Sequence, residues 1–418
     1  PAVMNIRRYL LLGGWAPMVL TASEPRGMPV EKGGGSRLIP SVLPVRRIPE
    51  PRLPGAGNAY SRPADGGTAR RSSLLRSILK ELADRFVLVP DRLVAWRRRM
   101  VREGVRMARG LRADAVMSFG PHHSLHLHAL AVSRRLDLPC FCFFGDLWLA
   151  DANVSWPSEL NRRLEAFLER QVVGRAAGLV VTTRGSADYF RNAYSGLCPP
   201  VHVALNAYDP ARVSRAAAPS AAGERMVITY TGNFFANQSP ETFLRGLRIF
   251  IERLPEARIR VRLVGGMEPP FHRMHEEMGL QEVVSAPGPV DFNSVPSLQA
   301  SSDLLLATLS PQPGAELKCS SKLAEYLRVG RPVLAVAPPG DMTGLVERLQ
   351  AGYTCPPEPE ALAQCLRRIY DDWRRGSMVG PADPAEVRSL LDARVVMRRL
   401  AGFLDRVAGD SAEREWSR

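Results

Sequence analysis

Lys318-Cys319-Ser320-Ser321-Lys322-Leu323-Ala324-Glu325-Tyr326-Leu327-Arg328-Val329-Gly330-Arg331-Pro332-Val333-Leu334 reads as a polar loop, a short helix and a buried strand. Ser320, Ser321 and Lys322 stand where the helix begins, so unsatisfied backbone N–H groups, two hydroxyls and a cation converge on one point. Such a point suits an anion, and a phosphate above all. Glu325 follows Lys322 by three residues on the same side of the helix, where a carboxylate can accept hydrogen bonds from a sugar hydroxyl. Gly330 suits the turn that ends the helix, and Pro332 keeps it from continuing. The plainer alternative is an ordinary capped helix before a core strand, and the remaining sequence decides between the two.

A chain of 418 residues exceeds what one compact core usually holds, so two domains are expected. Hydrophobic residues at 45% and charged residues at 23% are ordinary for a globular protein. The net charge of +14 is not ordinary, and it points to phosphorylated substrates, an anionic membrane face or nucleic acid. No nucleic-acid module accompanies the charge, so nucleic acid is not expected as a partner. The cysteines at 140, 142, 198, 319, 355 and 365 form no C-x-x-C pair and read as small core residues in a reducing compartment. No uninterrupted apolar run reaches the ~18 residues of a transmembrane helix, and the run at 10–12 is too short for a signal peptide. The expected location is cytoplasmic, with peripheral contact at the inner face of the cell membrane.

The chain opens with a helix over 5–12 and a strand over 17–22, whereas an α/β domain ordinarily opens with a strand. A first strand and its loop are therefore expected to precede Pro1. Residues 24–72, rich in Gly, Pro and Arg, read as a long and partly disordered loop with a weak strand over 43–47. In the basic helical stretch that follows, Leu93, Trp96, Met100, Gly104, Met107 and Leu111 recur at helical spacing. Arg92, Arg97, Arg98, Arg99, Arg102, Arg106, Arg109 and Arg112 stand against only Asp91 and Glu103. A basic amphipathic helix of this kind can lie on anionic headgroups, or can simply present a solvated face.

Strands over 113–119, 140–144, 178–183 and 201–205 then alternate with helices, the signature of a parallel doubly wound sheet. Residues 211–224 read as a linker. A second Rossmann-like domain has strands over 226–231, 259–264, 283–286, 304–307, 333–336 and 353–355, with helices between them. The expected organisation is α/β: an N-terminal Rossmann-like domain over 1–210, a linker, a C-terminal domain over 225–384, and a last helix over 385–408 packing back across both.

Ligands of such sheets sit at the carboxyl ends of the strands. Those ends carry Gly120-Pro121-His122-His123, Asp146 and Asn206 in the first domain, and Gly232-Asn233, Gly265-Gly266 and the Ser320–Glu325 stretch in the second. One domain thus offers His and Asp for proton transfer or hydroxyl binding, and the other offers glycine turns and an anion-binding helix start. His122, His123, His126 and His128 lack a Cys or carboxylate partner motif, so no metal is expected. The loop at Gly232 is not G-x-G-x-x-G, which disfavours a dinucleotide cofactor.

With these residues in place, the chain resembles a GT-B glycosyltransferase of the family 4 (group 1) kind. The resemblance runs from about residue 90 to 408. It is most specific at Tyr230-Thr231-Gly232-Asn233 with Gln238, at Leu263-Val264-Gly265-Gly266 and over 320–334. The segments 175–183 and Asn206-Ala207-Tyr208-Asp209 are similar to the family's strand before the linker and its end. The resemblance implies a nucleotide-sugar co-substrate on the C-terminal domain, no bound metal or cofactor, and retaining transfer to a glycan or lipid-linked acceptor. It implies that Lys318, Ser320, Ser321 and Lys322 meet the diphosphate, that Glu325 binds the ribose, and that Gly232, Asn233, Gln238, Gly265 and Gly266 let the backbone approach the donor. His122 and Asp146 would face the acceptor and the transferred sugar as catalytic residues.

The sequence departs from the family in four places. Eight residues before Glu325, where the family often has a second carboxylate, stands Leu317, with Glu316 beside it. Asn233 and Gln238 stand where a basic pair is common, leaving Lys318 and Lys322 as the phosphate cations. Ala207 replaces a glycine after Asn206, and the glycine-rich loop of the first strand is not seen. A sugar-nucleotide epimerase on the same fold and a non-enzymatic nucleotide- or membrane-binding module are the alternatives.

Overall fold

The structure is a computed structural model and describes residues 2–22, 45–48, 88–151, 156, 158–211, 224–234, 239–268, 271 and 273–416. Two compact units emerge. The C-terminal unit comprises Leu205–Val396 with Pro1–Asn5 and Thr183–Gly185, and the N-terminal unit comprises Ile6–Thr182, Ser186–Ala204 and Met397–Arg418.

In the N-terminal unit β1 (Val19–Ala22) and β2 (Val45–Ile48) pair in parallel, so the loop-like stretch before residue 72 contributes a strand. A four-stranded parallel sheet follows in the order β3 (Val116–Phe119), β4 (Cys140–Phe144), β5 (Gly178–Val181), β6 (Val201–Val203). Every residue of β4, Cys-Phe-Cys-Phe-Phe, is buried, as a central parallel strand covered on both faces requires. The helices Ser124–Leu136 and Glu159–Val173 link successive neighbouring strands, and right-handed crossovers place such helices on one side of the sheet. The basic stretch begins as a 3-10 turn, Arg92–Trp96, and continues as the α-helix Arg97–Gly110. Leu93, Trp96 and Met100 cluster with Ile48 in the core, while Arg97, Arg98, Arg99, Arg102, Arg106 and Arg109 are exposed. Asp91 starts the turn, accepting hydrogen bonds from the N–H groups of Leu93 (2.9 Å) and Ser124 (3.0 Å).

The C-terminal unit holds a six-stranded parallel sheet of β7 (Met226–Thr231), β8 (Ile259–Val264), β9 (Val284–Gly288), β10 (Leu304–Thr308), β11 (Val333–Val336) and β12 (Gly352–Cys355). Their order is β12-β11-β10-β7-β8-β9, the doubly wound arrangement. The chain reverses its direction of winding between β7 and β10, and that switch point is where such sheets bind ligands. Met226, Ile228, Tyr230, Leu263, Leu306, Leu334 and Val336 fill the core on one side of the sheet, and Leu305, Ala307, Leu323, Tyr326 and Ala335 fill it on the other.

The single C-terminal helix expected from the sequence is two helices, Pro384–Leu391 and Ala393–Trp416. Asp392 separates them in an extended conformation and accepts the Arg394 N–H at 2.8 Å, a helix-capping geometry that stops one helix and starts the next. Among the described residues, no helix is long and apolar enough to cross a membrane.

Candidate functional site

The ends of β7 and β8 interlock through glycines. Gly232 has φ +150° and Gly265 has φ +136°, conformations that side chains rarely adopt. A Cβ on Gly265 would strike the Gly232 carbonyl, and a Cβ on Gly232 would land on the Lys322 side chain. The Asn233 side-chain oxygen accepts the Gly266 N–H at 2.8 Å, and the Tyr230 hydroxyl donates to the Asn233 carbonyl at 3.1 Å. Gly232, Asn233, Gly265 and Gly266, four residues singled out from sequence, therefore form one turn pair. Gln238 lies outside the described residues.

Lys322 reaches this turn pair from the helix Ser321–Val329, which follows β10 across the switch point. Its ammonium lies 5.2 Å from the centre of the Tyr230 ring, and Tyr230 stacks on Phe234 at 4.1 Å. Burial lowers the Lys322 pKa from its ordinary value. Among the described residues no carboxylate forms an ion pair with it. The aromatic face offsets only part of the lost hydration, so a bound anion at this point is favoured. Ser320 precedes the helix without capping it through its hydroxyl, and Ser321 is exposed, so the first turn beside the lysine has no side-chain cap from Ser320. Lys318, half-buried, sits just before this turn.

Tyr326, one turn further along, ties the helix to β7. Its buried hydroxyl accepts the Thr231 N–H at 2.9 Å, and Gln299 donates to the Thr231 hydroxyl at 2.9 Å. Glu325 lies 3.8 Å from the Arg328 guanidinium, which also donates to the Asp209 carbonyl at 3.1 Å and covers the Tyr208 ring at 5.3 Å. Asn206 donates to the Cys319 carbonyl at 3.1 Å. The 206–209 segment thus braces both the approach to the helix and the arginine beside Glu325. Sequence reasoning missed Tyr326 and Arg328, because a tyrosine on an apolar helix face reads as core and an arginine near a helix end reads as solvated.

His122 and Asp146 follow β3 and β4, adjacent parallel strands, so both stand half-buried at the same end of the N-terminal sheet. The neighbouring histidines belong to the core. His123 stacks on Trp148 at 4.7 Å and 4°, and burial, with His126 and His122 nearby, pushes its pKa down to about 3. His126 shares a 2.7 Å hydrogen bond with the Ser118 hydroxyl, and burial lowers the His128 pKa to about 4. Trp148 donates to Glu165 at 2.8 Å, and the Leu149 N–H donates to the buried Glu169 at 2.9 Å. Burial pushes Glu169 up to about 7, against the opposing hydrogen bonds from Leu149, Tyr194 and Tyr189. Among the described residues no three His, Cys, Asp or Glu side chains are grouped to hold a metal.

Comparisons with known proteins bear on the fold and on the C-terminal unit. Residues 225–372 match the family Glycosyl transferases group 1. No curated relative matches the chain by sequence. Among solved structures, the chain is similar to sucrose-phosphate synthase from Thermosynechococcus elongatus, with 15% identity and a TM-score of 0.67 over 98% of this chain and 93% of that one. A glycosyltransferase from Rickettsia africae is similar at 10% identity and TM-score 0.58, over 97% and 93%. Anabaena HepE in complex with UDP-glucose is similar at 18% identity and TM-score 0.56, over 73% and 82%. At these identities the likeness is one of fold, and the family match supplies the chemistry. With two Rossmann-like units and a group 1 domain spanning the glycine turns and the Lys322 helix, the chain is a glycosyltransferase of GT-B fold.

Proposed function

We propose that the chain transfers a hexose from a nucleotide-sugar donor to a lipid-linked or cell-envelope glycan acceptor, with retention and without a metal. The observation that carries the donor half is Lys322: a desolvated cation without a carboxylate partner among the described residues, lying over the glycine turn at the switch point. HepE has been solved with UDP-glucose, which supports a uridine diphosphate donor here. On this reading the diphosphate lies across Lys322 and the start of its helix, with Ser320, Ser321 and Lys318 around it. The ribose hydroxyls bond Glu325, and the open Gly232-Asn233 and Gly265-Gly266 backbone admits the donor without a side-chain clash.

Transfer breaks the bond between the anomeric carbon and the diphosphate oxygen and forms one to the oxygen of the acceptor hydroxyl, whose proton passes to the departing diphosphate oxygen. Negative charge then grows on the leaving diphosphate, where Lys322 and the helix N–H groups already point. His122 and Asp146 hold the acceptor and the transferred sugar. The acceptor class is supported by the excess of arginine on the N-terminal unit, which suits a substrate presented at an anionic membrane.

Thermal unfolding with a panel of UDP-, ADP-, GDP- and dTDP-sugars tests the donor half. One donor should stabilise the protein by about 2.7 kcal/mol at a hundredfold excess over its Kd. A panel in which no donor raises the unfolding temperature would rule the reading out.

A further inference from the structure

The helical side of the N-terminal unit carries two features that glycosyl transfer leaves unused. The first is an open groove of about 520 Å³ lined by Arg97, Arg98, Val101, Arg102, Val105 and Arg135. Its walls are exposed guanidinium groups and its floor is the buried Val101 with the half-buried Val105. Arg102 approaches Glu103 at 3.7 Å, whereas Arg97 and Arg98 meet no carboxylate among the described residues.

The second feature is a stripe on the helix Glu159–Val173. Leu160, Leu164 and Phe167 recur at i, i+4 and i+7 and are 68%, 40% and 57% exposed. The opposite face of the same helix buries Asn161, Glu169, Val172 and Val173, so the stripe is surplus to the unit's own core. Phe167 is flanked by Arg163 and Arg170, both exposed. Leucine and phenylalanine framed by arginine are what an interfacial helix presents to a bilayer, with rings and branched chains at acyl depth and guanidinium groups at the phosphates.

Ser124–Leu136 packs against both Arg97–Gly110 and Glu159–Val173, so groove and stripe belong to one helical layer. We infer that this layer is a membrane-docking face: Leu160, Leu164 and Phe167 enter the headgroup region of an anionic leaflet while Arg97, Arg98, Arg102 and Arg135 hold its phosphates. The charge selects the occupant. A second copy of this +14 chain would bring arginine against arginine, whereas an anionic bilayer neutralises it. The inference deepens the proposed peripheral location and does not depend on which donor the enzyme uses.

The test is co-sedimentation of the full chain with vesicles of phosphatidylcholine alone and of phosphatidylcholine mixed equally with phosphatidylglycerol. Binding is expected to the anionic vesicles only, and to fall as salt is raised. Leu164→Ser with Phe167→Ser, and separately Arg98→Glu with Arg102→Glu, should each lower the partition coefficient about tenfold or more. All four residues are exposed, and an unchanged circular-dichroism spectrum and unfolding temperature show that each variant is folded. Wild-type protein that ignores anionic vesicles at low salt would overturn the inference. So would serine variants that partition like the wild type, or that only convert a dimer to a monomer in sedimentation velocity. The donor panel reads the other half of the molecule, so a failure here leaves the transferase reading standing.

Discussion

The two units fold on the same principle but fill their interiors differently. The C-terminal sheet is packed with Met226, Ile228, Leu263, Leu304, Leu306, Leu334 and Val336, and the tyrosines within it find partners for their hydroxyls. The N-terminal sheet buries His123, His126, His128, Ser118 and Glu169 among its aromatic residues. An apolar sheet core takes up no protons and leaves charge to the unit's margins, as at the buried Asp392 paired with Arg394. A titratable interior makes the stability of the unit itself depend on which groups are neutral. The C-terminal sheet thus surrounds one desolvated lysine with an apolar core, and the N-terminal sheet is a frame that protons can loosen.

The sharpest way to break this contrast is Lys322→Ala. If the lysine is the single charge that the C-terminal frame is built around, kcat/KM should fall about 10²–10³-fold with little change in unfolding temperature. A loss of stability matching the loss of activity would make Lys322 a structural residue instead.

The next effect belongs to the N-terminal unit. Glu169, raised to about 7 from an ordinary carboxylate value, is bound to its proton more tightly when folded than when unfolded, so its contribution falls as pH rises through 7. His123 and His128, lowered to about 3 and about 4, act in the opposite sense: stability is lost as pH falls below their ordinary value near 6.5. Glu169→Gln should therefore stabilise the protein by about 3 kcal/mol at pH 8 and change little below pH ~4, while sharpening its acid loss. Denaturant unfolding at several pH values measures this, and equal gains at both ends would remove the carboxyl as the cause.

The smallest expected change lies in the C-terminal unit. Tyr326→Phe leaves the Thr231 N–H without its acceptor, at a cost of about 1–3 kcal/mol that should be flat between pH 5 and 8. A pH-dependent loss there would erase the distinction between the units.

Legibility followed the same divide. The strands of the C-terminal sheet were readable because continuous apolar runs ended in glycines, and Gly232 and Gly265 indeed occupy conformations that require them. The boundaries of β7, β8 and β11 match the expected ones, and Gly330 ends its helix in the left-handed conformation. In the N-terminal unit, spacing alone does not separate core histidines from one at a strand end. It singles out His122 and leaves the other three without a role; His123, His126 and His128 are buried, and His123 and His126 pack against Phe144. Glu169 was invisible because a glutamate in a charged helix reads as solvated. Its burial is set by the distant Tyr189, Tyr194 and Leu149. Asp392 passed unnoticed, because an uninterrupted helical pattern on both sides of it hid the break.

The Tyr326 hydroxyl has one more consequence. Thr231 closes β7, yet its amide is held by a side chain from the helix that carries Lys322 and not by a neighbouring strand. Its hydrogen is released to solvent when that helix lifts from the end of the strand. The protection of this one amide is therefore a gauge of how firmly the Lys322 helix is seated, readable by isotope labelling without any catalytic turnover.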